Sequence, residues 1–546
     1  MSINFASHVS NTRVNGVIAT PQTQAIPGRE KDMAKNNAGG VVFTISPFDH
    51  LQRFLILGTS GGTYYADEKK HTLQAFDGLK KCIEQDPLRT ITMIISISES
   101  SRASSNDPAL FALACVMAYG NDMAKKAARD ALPKVARIGT HLFHFAQFID
   151  GLKGWGSGTR KAFKNWYLSK SPEELAFQFV KYGQRDGWSH RDILRKAHPY
   201  SDLERQNAVF DVICRPDTIK TKYAGHSQDF LPKILYGYEQ VKKPNLTARD
   251  VVTLIEEYRL PREAIPTEFL NEKEVWTALL PNMKPEALIR NLAKLTSIGL
   301  ISPLSEWSKF VCNKLTDSEL MGRARIHPLN LLKALRTYGS GKGIKGSLTW
   351  VADRKVTEAL ETAFFDSFGF VEPSGANILM GMDVSGSMTS SMMADCPNLS
   401  CREAAATMAL VTVKAEENVH VMAFSGGFIP LDINKHDNLT TVQQKMLGLP
   451  FDRTDCAIPM EYALKNKIPV DCFQIHTDNE TYTGRVQPSQ ALKMYRNGMG
   501  LPKTKLAVAT YTATQFSIAD PLDPYMMDFV GFDSNGPQAM AELARL

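Results

Sequence analysis

The chain has 546 residues, more than one hydrophobic core usually serves, and 43% of them are apolar, so we expect at least two folded domains. Eight scattered cysteines without CxxC pairs exclude a disulfide scaffold and favour a reducing compartment. The net charge of +6 is too small to name a partner class, while the lack of a long apolar run or a signal-peptide pattern predicts a cytoplasmic protein without membrane association.

The charge is divided unevenly along the chain. Residues 374–546 hold 13 Lys+Arg and 18 Asp+Glu, net −5, which leaves 50 and 39, net +11, for residues 1–373. A basic part of this size is typical of a protein that contacts a polyanion, whereas the acidic part is a poor surface for nucleic acid.

Taken in chain order, the first two predicted regions differ in periodicity. Residues 1–38 mix Asn, Thr, Gln, Pro and Gly without a sustained pattern, which predicts a flexible N-terminal segment. Residues 39–372 show repeated helical patterns, for example Leu288, Leu292 and Leu295 at i, i+4 and i+7. Because no single short amphipathic helix buries its apolar face alone, we expect a stacked helical array there.

The third region, residues 373–546, alternates short apolar runs with helical stretches. Strands are predicted over 378–384, 419–424, 470–475, 506–511 and 529–532, with helices over 402–417, near 460, from 489 and at the end. This alternation predicts an α/β domain with a doubly wound parallel sheet, which would place a ligand at the carboxyl ends of the strands.

A candidate metal site lies at those strand ends. The first strand runs into Asp383, Ser385 and Ser387, while Thr454 precedes a helix and Asp478 follows a strand. Hydroxyl oxygens backed by carboxylates suit Mg²⁺, so we predict Ser385, Ser387 and Thr454 as direct ligands. Asp383 and Asp478 would accept hydrogen bonds from metal-bound water or hydroxyls, although direct ligation stays open.

Two other interpretations of this loop remain. Asp383 and Ser385 are also residues that commonly cap a helix or form a turn. A phosphotransferase would want a second carboxylate where Ser385 stands, which counts against an enzyme. The pattern Asp383-Val-Ser-Gly-Ser387, with Thr454 and Asp478, resembles the metal-ion-dependent adhesion site of von Willebrand factor A domains. That resemblance implies a divalent cation that takes its last ligand from an acidic partner.

Basic side chains form stripes on the predicted helices. Residues 151–200 alone hold ten Lys+Arg against four acids. A capping box from Ser189 to Asp192 would begin a helix with Arg191, Arg195 and His198 on one face. The candidate RNA-binding residues are Lys134, Arg137, His141, Arg160, Lys161, Lys164, Arg185, His190, Arg191, Arg195, His198, Arg323 and His327.

Each stripe taken alone is also compatible with an ordinary solvated helix face. Several stripes within one region favour phosphate binding, and Trp155, Trp166 and Trp188 would stack bases if they were exposed. Taken one by one, these tryptophans are more typical of a core.

Four segments, Gly61–Tyr65, Arg137–Phe143, Gly187–Asp192 and Ala324–Pro328, together with the metal loop, resemble the Ro autoantigen family of TROVE-domain proteins. The resemblance implies a ring of HEAT-like helical repeats (TROVE) closed by a von Willebrand factor A domain. It implies small noncoding Y-type RNA on the outer basic surface and single-stranded 3′ ends of misfolded or decaying RNA in a central hole. The implied role is RNA quality control and stress response.

The leading hypothesis is therefore a monomeric, non-catalytic RNA-binding protein with Mg²⁺ as its cofactor. The long polar N-terminus would suit a bacterial member, for which the resemblance implies an exoribonuclease as a further partner. One competing hypothesis is a metal-dependent protein-interaction module that captures an acidic partner without RNA. Another is a Mg²⁺-dependent nuclease or phosphatase.

Overall fold

The computed structural model describes residues 13–227, 229–343, 346–394, 396–424, 427–446, 449 and 453–546. Its contacts divide the chain into two compact units. The sheet unit joins the residues up to Leu79 with Phe368–Leu546, and the helical unit is Lys80–Ser367. In the parts of the chain that the structure describes, no helix is both long and apolar enough to cross a membrane.

The N-terminal part of the sheet unit is built from four short strands and two helices. Its elements are β1 (Arg13–Val14), β2 (Val17–Ile18), β3 (Met33–Lys35), β4 (Val41–Thr44), α1 (Pro47–Leu57) and α2 (Glu68–Gln85), the last of which continues past Leu79. Helix α1 begins where Ser46 accepts a hydrogen bond from the Asp49 amide and a proline occupies the first helical position.

The helical unit confirms the helical prediction. Its elements are α3 (Pro87–Ser100), α4 (Asp107–Tyr119), α5 (Asp122–Val135), α6 (Gly139–Leu152), α7 (Ser157–Leu168), α8 (Pro172–Lys181), β5 (Gln184–Arg185), β6 (Trp188–Ser189), α9 (His190–Ala197), α10 (Glu204–Cys214), α11 (Lys233–Gln240), α12 (Ala248–Tyr258), α13 (Lys273–Leu279), α14 (Pro285–Ser297), α15 (Glu306–Leu315), α16 (Ser318–Ala324), α17 (Pro328–Gly339) and α18 (Arg354–Asp366). Leu288, Leu292 and Leu295 are all buried, as their spacing predicts.

The beginning and the end of the helical unit are in contact. The Arg325 guanidinium donates to the Glu99 carbonyl at 2.9 Å, and the Asn330 side chain donates to the Ser104 carbonyl at 3.2 Å. The helical array therefore returns to its own start.

The rest of the sheet unit alternates strands and helices. Its elements are β7 (Ile378–Asp383), α19 (Gly386–Ser390), β8 (Met392–Met393), β9 (Cys396–Ser400), α20 (Cys401–Ala415), β10 (Val419–Phe424), β11 (Phe428–Pro430), α21 (Leu439–Met446), α22 (Ile458–Lys465), β12 (Cys472–Thr477), α23 (Pro488–Met499), β13 (Lys505–Thr510), β14 (Phe516–Ser517), β15 (Met526–Val530) and α24 (Gly536–Arg545).

The main sheet has the order β11-β10-β7-β12-β13-β15, parallel except for the edge strand β11. The chain runs outward from β7 in both directions, which confirms the doubly wound prediction. His476 on β12 pairs with Met382 on β7, so these neighbouring strands end side by side. The residues that follow them, Asp383 and Thr477, therefore meet at one edge of the sheet.

The structure differs from the prediction of a flexible segment over residues 1–38. Residues 1–12 lie outside the described residues, but from Arg13 onward the segment packs on the sheet unit. The Gln22 side chain is buried and donates to Asp455 at 2.6 Å, and Asn36 donates to the Thr481 carbonyl at 2.8 Å. Buried amides need such partners, and these partners lie more than 430 residues away in sequence, where local periodicity cannot show them.

Residues 39–79 also belong to the sheet unit rather than to the helical region over 39–372. Strand β4 pairs with β14, and Arg53 of α1 forms a buried ion pair with Asp528 at 2.7 Å. The sheet unit is therefore assembled from both ends of the chain.

Candidate metal centre and nucleic-acid interface

The metal loop begins where β7 ends. The Asp383 carboxylate accepts from the Ser385 amide at 2.9 Å and from the Thr477 hydroxyl at 2.7 Å. The Ser385 and Ser387 hydroxyl oxygens lie 3.1 Å apart. Ser385 stands at the N-cap of α19, yet its hydroxyl makes no capping hydrogen bond, so the interpretation as a simple helix cap is not supported for it.

Asp478 and Thr454 lie on the loops that the sequence selected. Asp478 is buried and accepts from the Glu480 amide at 3.1 Å, and Ser387 also hydrogen-bonds to it. Thr454 is buried, and its carbonyl accepts from the Tyr482 amide at 3.2 Å, just beyond Asp478. The structure thus brings Asp383, Ser385, Ser387 and Asp478 into one site, with Thr454 on a loop bonded to the segment after Asp478.

The site has the electrostatics of a cation site. Burial raises the pKa of Asp383, and burial followed by the charges of Asp383 and Glu480 raises the pKa of Asp478 well above its usual value. Among the described residues, neither Asp383 nor Asp478 forms an ion pair with a basic side chain. A bound cation would relieve this repulsion, and the hydroxyls beside it are suitable Mg²⁺ ligands.

In the described ranges, the end of β7 included, there is no cluster of three or more His, Cys, Asp or Glu residues that could hold a metal ion. Hydroxyl ligands are therefore central to any metal site at β7. The hydroxyl and carboxylate groups at the end of β7 are therefore chemically suited to the predicted Mg²⁺ ion.

Three further residues at the site were not predicted from the sequence. Thr477 orients Asp383, as described above. The Tyr65 hydroxyl hydrogen-bonds with Ser387, and burial first, then the Asp478 charge, raises the pKa of Tyr65. Glu480 accepts from the Asn37 side chain at 2.7 Å. Tyr65 lies more than 300 residues before the metal loop, and although it is part of the segment Gly61–Tyr65 that carries the family resemblance, nothing in the sequence connected it to the metal site.

Most of the predicted RNA-binding residues are exposed. These are Lys134, Arg137, Arg160, Lys161, Arg185, Arg191, Arg195, His198 and Arg323, while Lys164 is half-buried. The capping box from Ser189 to Asp192 is present and begins α9, as predicted.

Three predicted histidines do not belong to an exposed surface. His190 is 1% exposed and lies against the Tyr167 hydroxyl at 2.9 Å, and burial lowers its pKa to about 3. His327 is buried; its ring accepts from the Leu329 amide at 3.1 Å and contacts the Arg102 carbonyl at 2.9 Å. Burial also lowers the pKa of His141 to about 3. Helical spacing placed each histidine on the same helix face as basic residues, but neighbouring helices cover that position. We therefore remove these three histidines from the candidate interface.

We define the cationic surface as the exposed predicted Lys and Arg residues on α7, on the hairpin β5–β6 and on α9, which leaves out the half-buried Lys164. It consists of Arg160, Lys161, Arg185, Arg191 and Arg195. Helices α7 and α9 pack together. Among the described residues, only Arg185 of this set contacts a carboxylate, that of Asp186 at 4.0 Å. The other four charges are available to a polyanion.

Aromatic rings lie beside the cationic surface. The rings of Trp155 and Trp188 are half-buried with centroids 5.3 Å apart, and the Lys196 ammonium lies 5.2 Å from the first and 5.8 Å from the second. Trp166 is fully buried and belongs to the core.

Lys134, Arg137 and Arg323 are carried by other parts of the helical unit, namely α5, the segment after it and α16. Arg137 donates to the Ser98 hydroxyl at 2.7 Å, and its pKa is lowered by burial and by the charge of Arg325. Arg137 and Arg325 therefore concentrate positive charge where the helical unit meets its own start.

Comparisons with known proteins cover nearly the whole chain. The TROVE domain family matches residues 34–253 and 257–338, and the Ro60 vWA domain family matches residues 377–544. The chain is 40% identical over 533 residues to RNA-binding protein RO60 of Deinococcus radiodurans, covering 96% of this chain and 97% of that protein. It is 34% identical over 579 residues to RNA-binding protein RO60 of Caenorhabditis elegans, covering 93% and 89%.

A solved structure agrees with these matches. The crystal structure of the Deinococcus radiodurans RO (RSR) protein aligns with a TM-score of 0.70 at 40% identity, covering 92% of this chain and 99% of that chain. The chain therefore belongs to the Ro protein family and combines a TROVE domain with a Ro60-type von Willebrand factor A domain.

Proposed function

We propose that this protein binds RNA through the cationic surface of its helical unit and is not an enzyme. The observation that carries the proposal is the set of exposed cations on α7 and α9, of which Arg160, Lys161, Arg191 and Arg195 have no carboxylate partner among the described residues. Two relatives that match over most of the chain are named RNA-binding proteins.

The chemistry of this surface suits a phosphate backbone. An arginine guanidinium group can bind two phosphate oxygens at once, and each phosphate that is neutralised releases counterions from the nucleic acid. The half-buried pair Trp155 and Trp188 offers apolar ring surface for a base at the edge of the same region. We propose that the ligand here is a small noncoding RNA of the Y type.

A second RNA contact is proposed within the helical unit. Because the helical array returns to its own start, it can enclose a space, and Arg137 and Arg325 supply charge at that junction. Single-stranded 3′ ends of misfolded or decaying RNA are the proposed ligand of this space. The protein would then act in RNA quality control and the stress response, as a cytoplasmic monomer with an exoribonuclease as a further partner.

Mg²⁺ is the proposed cofactor of the sheet unit. Ser385, Ser387 and Thr454 would hold it, with Asp383 and Asp478 balancing its charge. A bound divalent cation would supply an electrophilic point for an acidic group of a partner. This site favours the second candidate function, capture of an acidic protein partner without RNA.

The proposal is tested by isolating the protein from its own cells at moderate salt and sequencing any bound nucleic acid. We expect a structured small RNA with the wild-type protein and its loss in the double variant Arg191→Ala, Arg195→Ala. The matched control is Arg354→Ala, Lys355→Ala, which removes two exposed cations of α18 that are already paired with Glu358.

An RNA that stays bound to the first variant at wild-type level would remove the cationic surface from the proposal. Absence of nucleic acid above background, together with partner capture that EDTA abolishes, would favour the protein-interaction function instead.

A further inference from the structure

The hairpin β5–β6 carries part of the cationic surface. It presents Arg185 and Trp188 and leads directly into α9. Its turn residues Asp186 and Gly187 have φ angles of 50° and 78°, as a tight two-residue hairpin turn requires. Each strand has only two residues, so the ladder itself gives the hairpin little stability.

His144 of α6 contacts the turn of this hairpin. Its Nδ1 atom lies 2.6 Å from the Asp107 carboxylate, and its Nε2 atom lies 3.1 Å from the Asp186 carboxylate. The His144 side chain is 16% exposed, so the ring is largely shielded, whereas the Asp107 and Asp186 side chains are 46% and 36% exposed and also reach solvent. One imidazole thus connects the N-terminus of α4 to the turn of the hairpin.

The bridge is complete only in one protonation state. Both neighbours of the ring are carboxylates, and both ring nitrogens donate only in the imidazolium form. The neutral ring donates one hydrogen bond and turns a lone pair toward the other carboxylate. Deprotonation therefore weakens one end of the bridge and leaves two carboxylates facing each other.

The charged groups around the ring favour the imidazolium. The pKa of His144 is raised, first by its hydrogen bond to Asp107 and also by the charge of Asp186, while burial and the charge of Arg185 act in the opposite direction. His141 on the same helix also faces this group, but its pKa of about 3 keeps it neutral near pH 7.

We propose that His144 is a positioning residue for the RNA interface, which in its protonated form fixes the hairpin β5–β6 and neutralises Asp186 beside the bound phosphates. This inference rests on the proposed function and adds to it a dependence of RNA binding on pH. A fixed hairpin loses less conformational entropy on binding, and a neutralised Asp186 repels phosphate less.

The direction of the pH effect follows from the raised pKa. The contribution of the bridge is fully present below the unfolded-state pKa of a histidine, roughly 6.5, and is lost as the pH rises through the higher folded-state pKa. RNA binding should therefore be tighter at pH 6 than at pH 8.5.

The test measures the Kd of the full chain for a fluorescein-labelled RNA hairpin with a single-stranded 3′ tail, at constant ionic strength. All chains carry His198→Gln, which removes the exposed histidine that directly follows α9. We expect the affinity to fall about three- to tenfold from pH 6 to pH 8.5. In His144→Gln and in Asp186→Asn this pH dependence should disappear.

A matched control is His226→Gln, an exposed histidine outside the interface, which should keep the full pH dependence. Equal pH dependence with and without His144 would overturn the inference.

Hydrogen exchange of the amides of residues 184–189 gives a readout that needs no RNA. After correction for intrinsic rates, their protection should fall from pH 6 to pH 8.5 in the wild-type chain and not in His144→Gln. If protection in the wild-type chain is the same at pH 6 and pH 8.5, the His144 bridge does not stabilise the hairpin and the inference is overturned. Protection that changes in a chain that binds no RNA at either pH overturns the proposed function, and with it the positioning role.

Discussion

At the scale of single residues, burial decides what a polar side chain does. Asp383 and Asp478 have almost no solvent contact and no basic partner among the described residues, which makes them candidates for holding a cation. His190 and His327 are buried as well, but each ring has a protein partner and serves the packing of the helices. The structure brings Asp383, Ser385, Ser387 and Asp478 together, as we expect where the ends of parallel strands converge, and their role as a metal site stays a prediction. The sequence could not distinguish a histidine facing solvent from one facing another helix.

The metal site gives the first prediction at this scale. We expect Mg²⁺ to raise the melting temperature of the wild-type protein, and this increase should shrink or vanish in Ser385→Ala, which removes a proposed ligand. A ligand at 100 times its Kd stabilises a protein by about 2.7 kcal/mol, which thermal scanning resolves easily. Ser297→Ala, on the exposed surface of α14, is the control and should keep the full Mg²⁺ effect. Equal Mg²⁺ shifts in both variants would contradict the ligand assignment.

The buried histidines give a second prediction. His141 and His190 have pKa values lowered to about 3, so the unfolded chain binds protons below pH 6.5 that the folded chain does not. Stability should therefore fall as the pH drops below 6.5, by at most about 1.4 kcal/mol per pH unit for each histidine.

The check compares melting temperatures at pH 7.5 and pH 5. The difference should be smaller in His190→Asn than in the wild type, even though the variant loses the contact with Tyr167. The exposed His226→Asn serves as control and should behave as the wild type. A His190→Asn chain with the full acid sensitivity would refute the assignment.

At the scale of elements, the sequence predicted helices and strands best where the interacting residues are close together in the chain. The capping box that starts α9 and the spacing of Leu288, Leu292 and Leu295 both involve residues within seven positions, and both were predicted correctly. Strands β3 and β4 were not predicted. They have only three and four residues, and although β3 pairs with β4, the other partner of β4 is β14, which lies more than 470 residues later.

The loop Gly61–Ala66 next to the metal loop allows a prediction at the element scale. A Cβ atom on Gly62 would lie 2.6 Å from the Glu68 amide nitrogen, whereas one on Gly61 would meet nothing within 4 Å, although both glycines have positive φ. Gly62→Ala should therefore displace the loop, while Gly61→Ala adds only backbone strain.

The readout is the exchange of the Tyr64 amide, which donates to the Ser391 hydroxyl at 2.9 Å. Its protection should be lost in Gly62→Ala and largely kept in Gly61→Ala. Similar protection in the two variants would contradict the close packing of Gly62 against the Glu68 amide.

At the scale of the whole molecule, the chain order does not match the division into units. The helical unit is inserted between two segments that form the sheet unit together. The alternation of strands and helices after residue 373 predicted the A domain correctly, and the family resemblance predicted its combination with a helical TROVE domain. The contribution of residues 13–79 to the sheet unit could not be predicted, because its evidence is a set of long-range hydrogen bonds.

This arrangement predicts how fragments behave. Residues 368–546 alone lose the partners of Asp455, Asp520 and Asp528, namely Gln22, Arg29 and Arg53. Asp520 keeps its contact with Lys493, but Asp528 is left buried without its ion pair, which is strongly destabilising, so the fragment should be poorly folded. Co-expression with residues 13–79 should restore a cooperative thermal transition. If residues 368–546 were fully stable without residues 13–79, the assignment of residues 13–79 to the sheet unit would be contradicted.

The most direct test of the RNA-binding account is the salt dependence of RNA affinity. Each phosphate that a Lys or Arg neutralises adds about 0.7 to 0.9 to the slope of log Kd against log salt concentration. We predict a steep slope for the wild-type chain, a slope lower by about one to two in Arg191→Ala, Arg195→Ala, and an unchanged slope in Arg354→Ala, Lys355→Ala. Binding that barely changes between low and moderate salt, or equal slopes in all three chains, would contradict the claim that the cationic surface binds RNA.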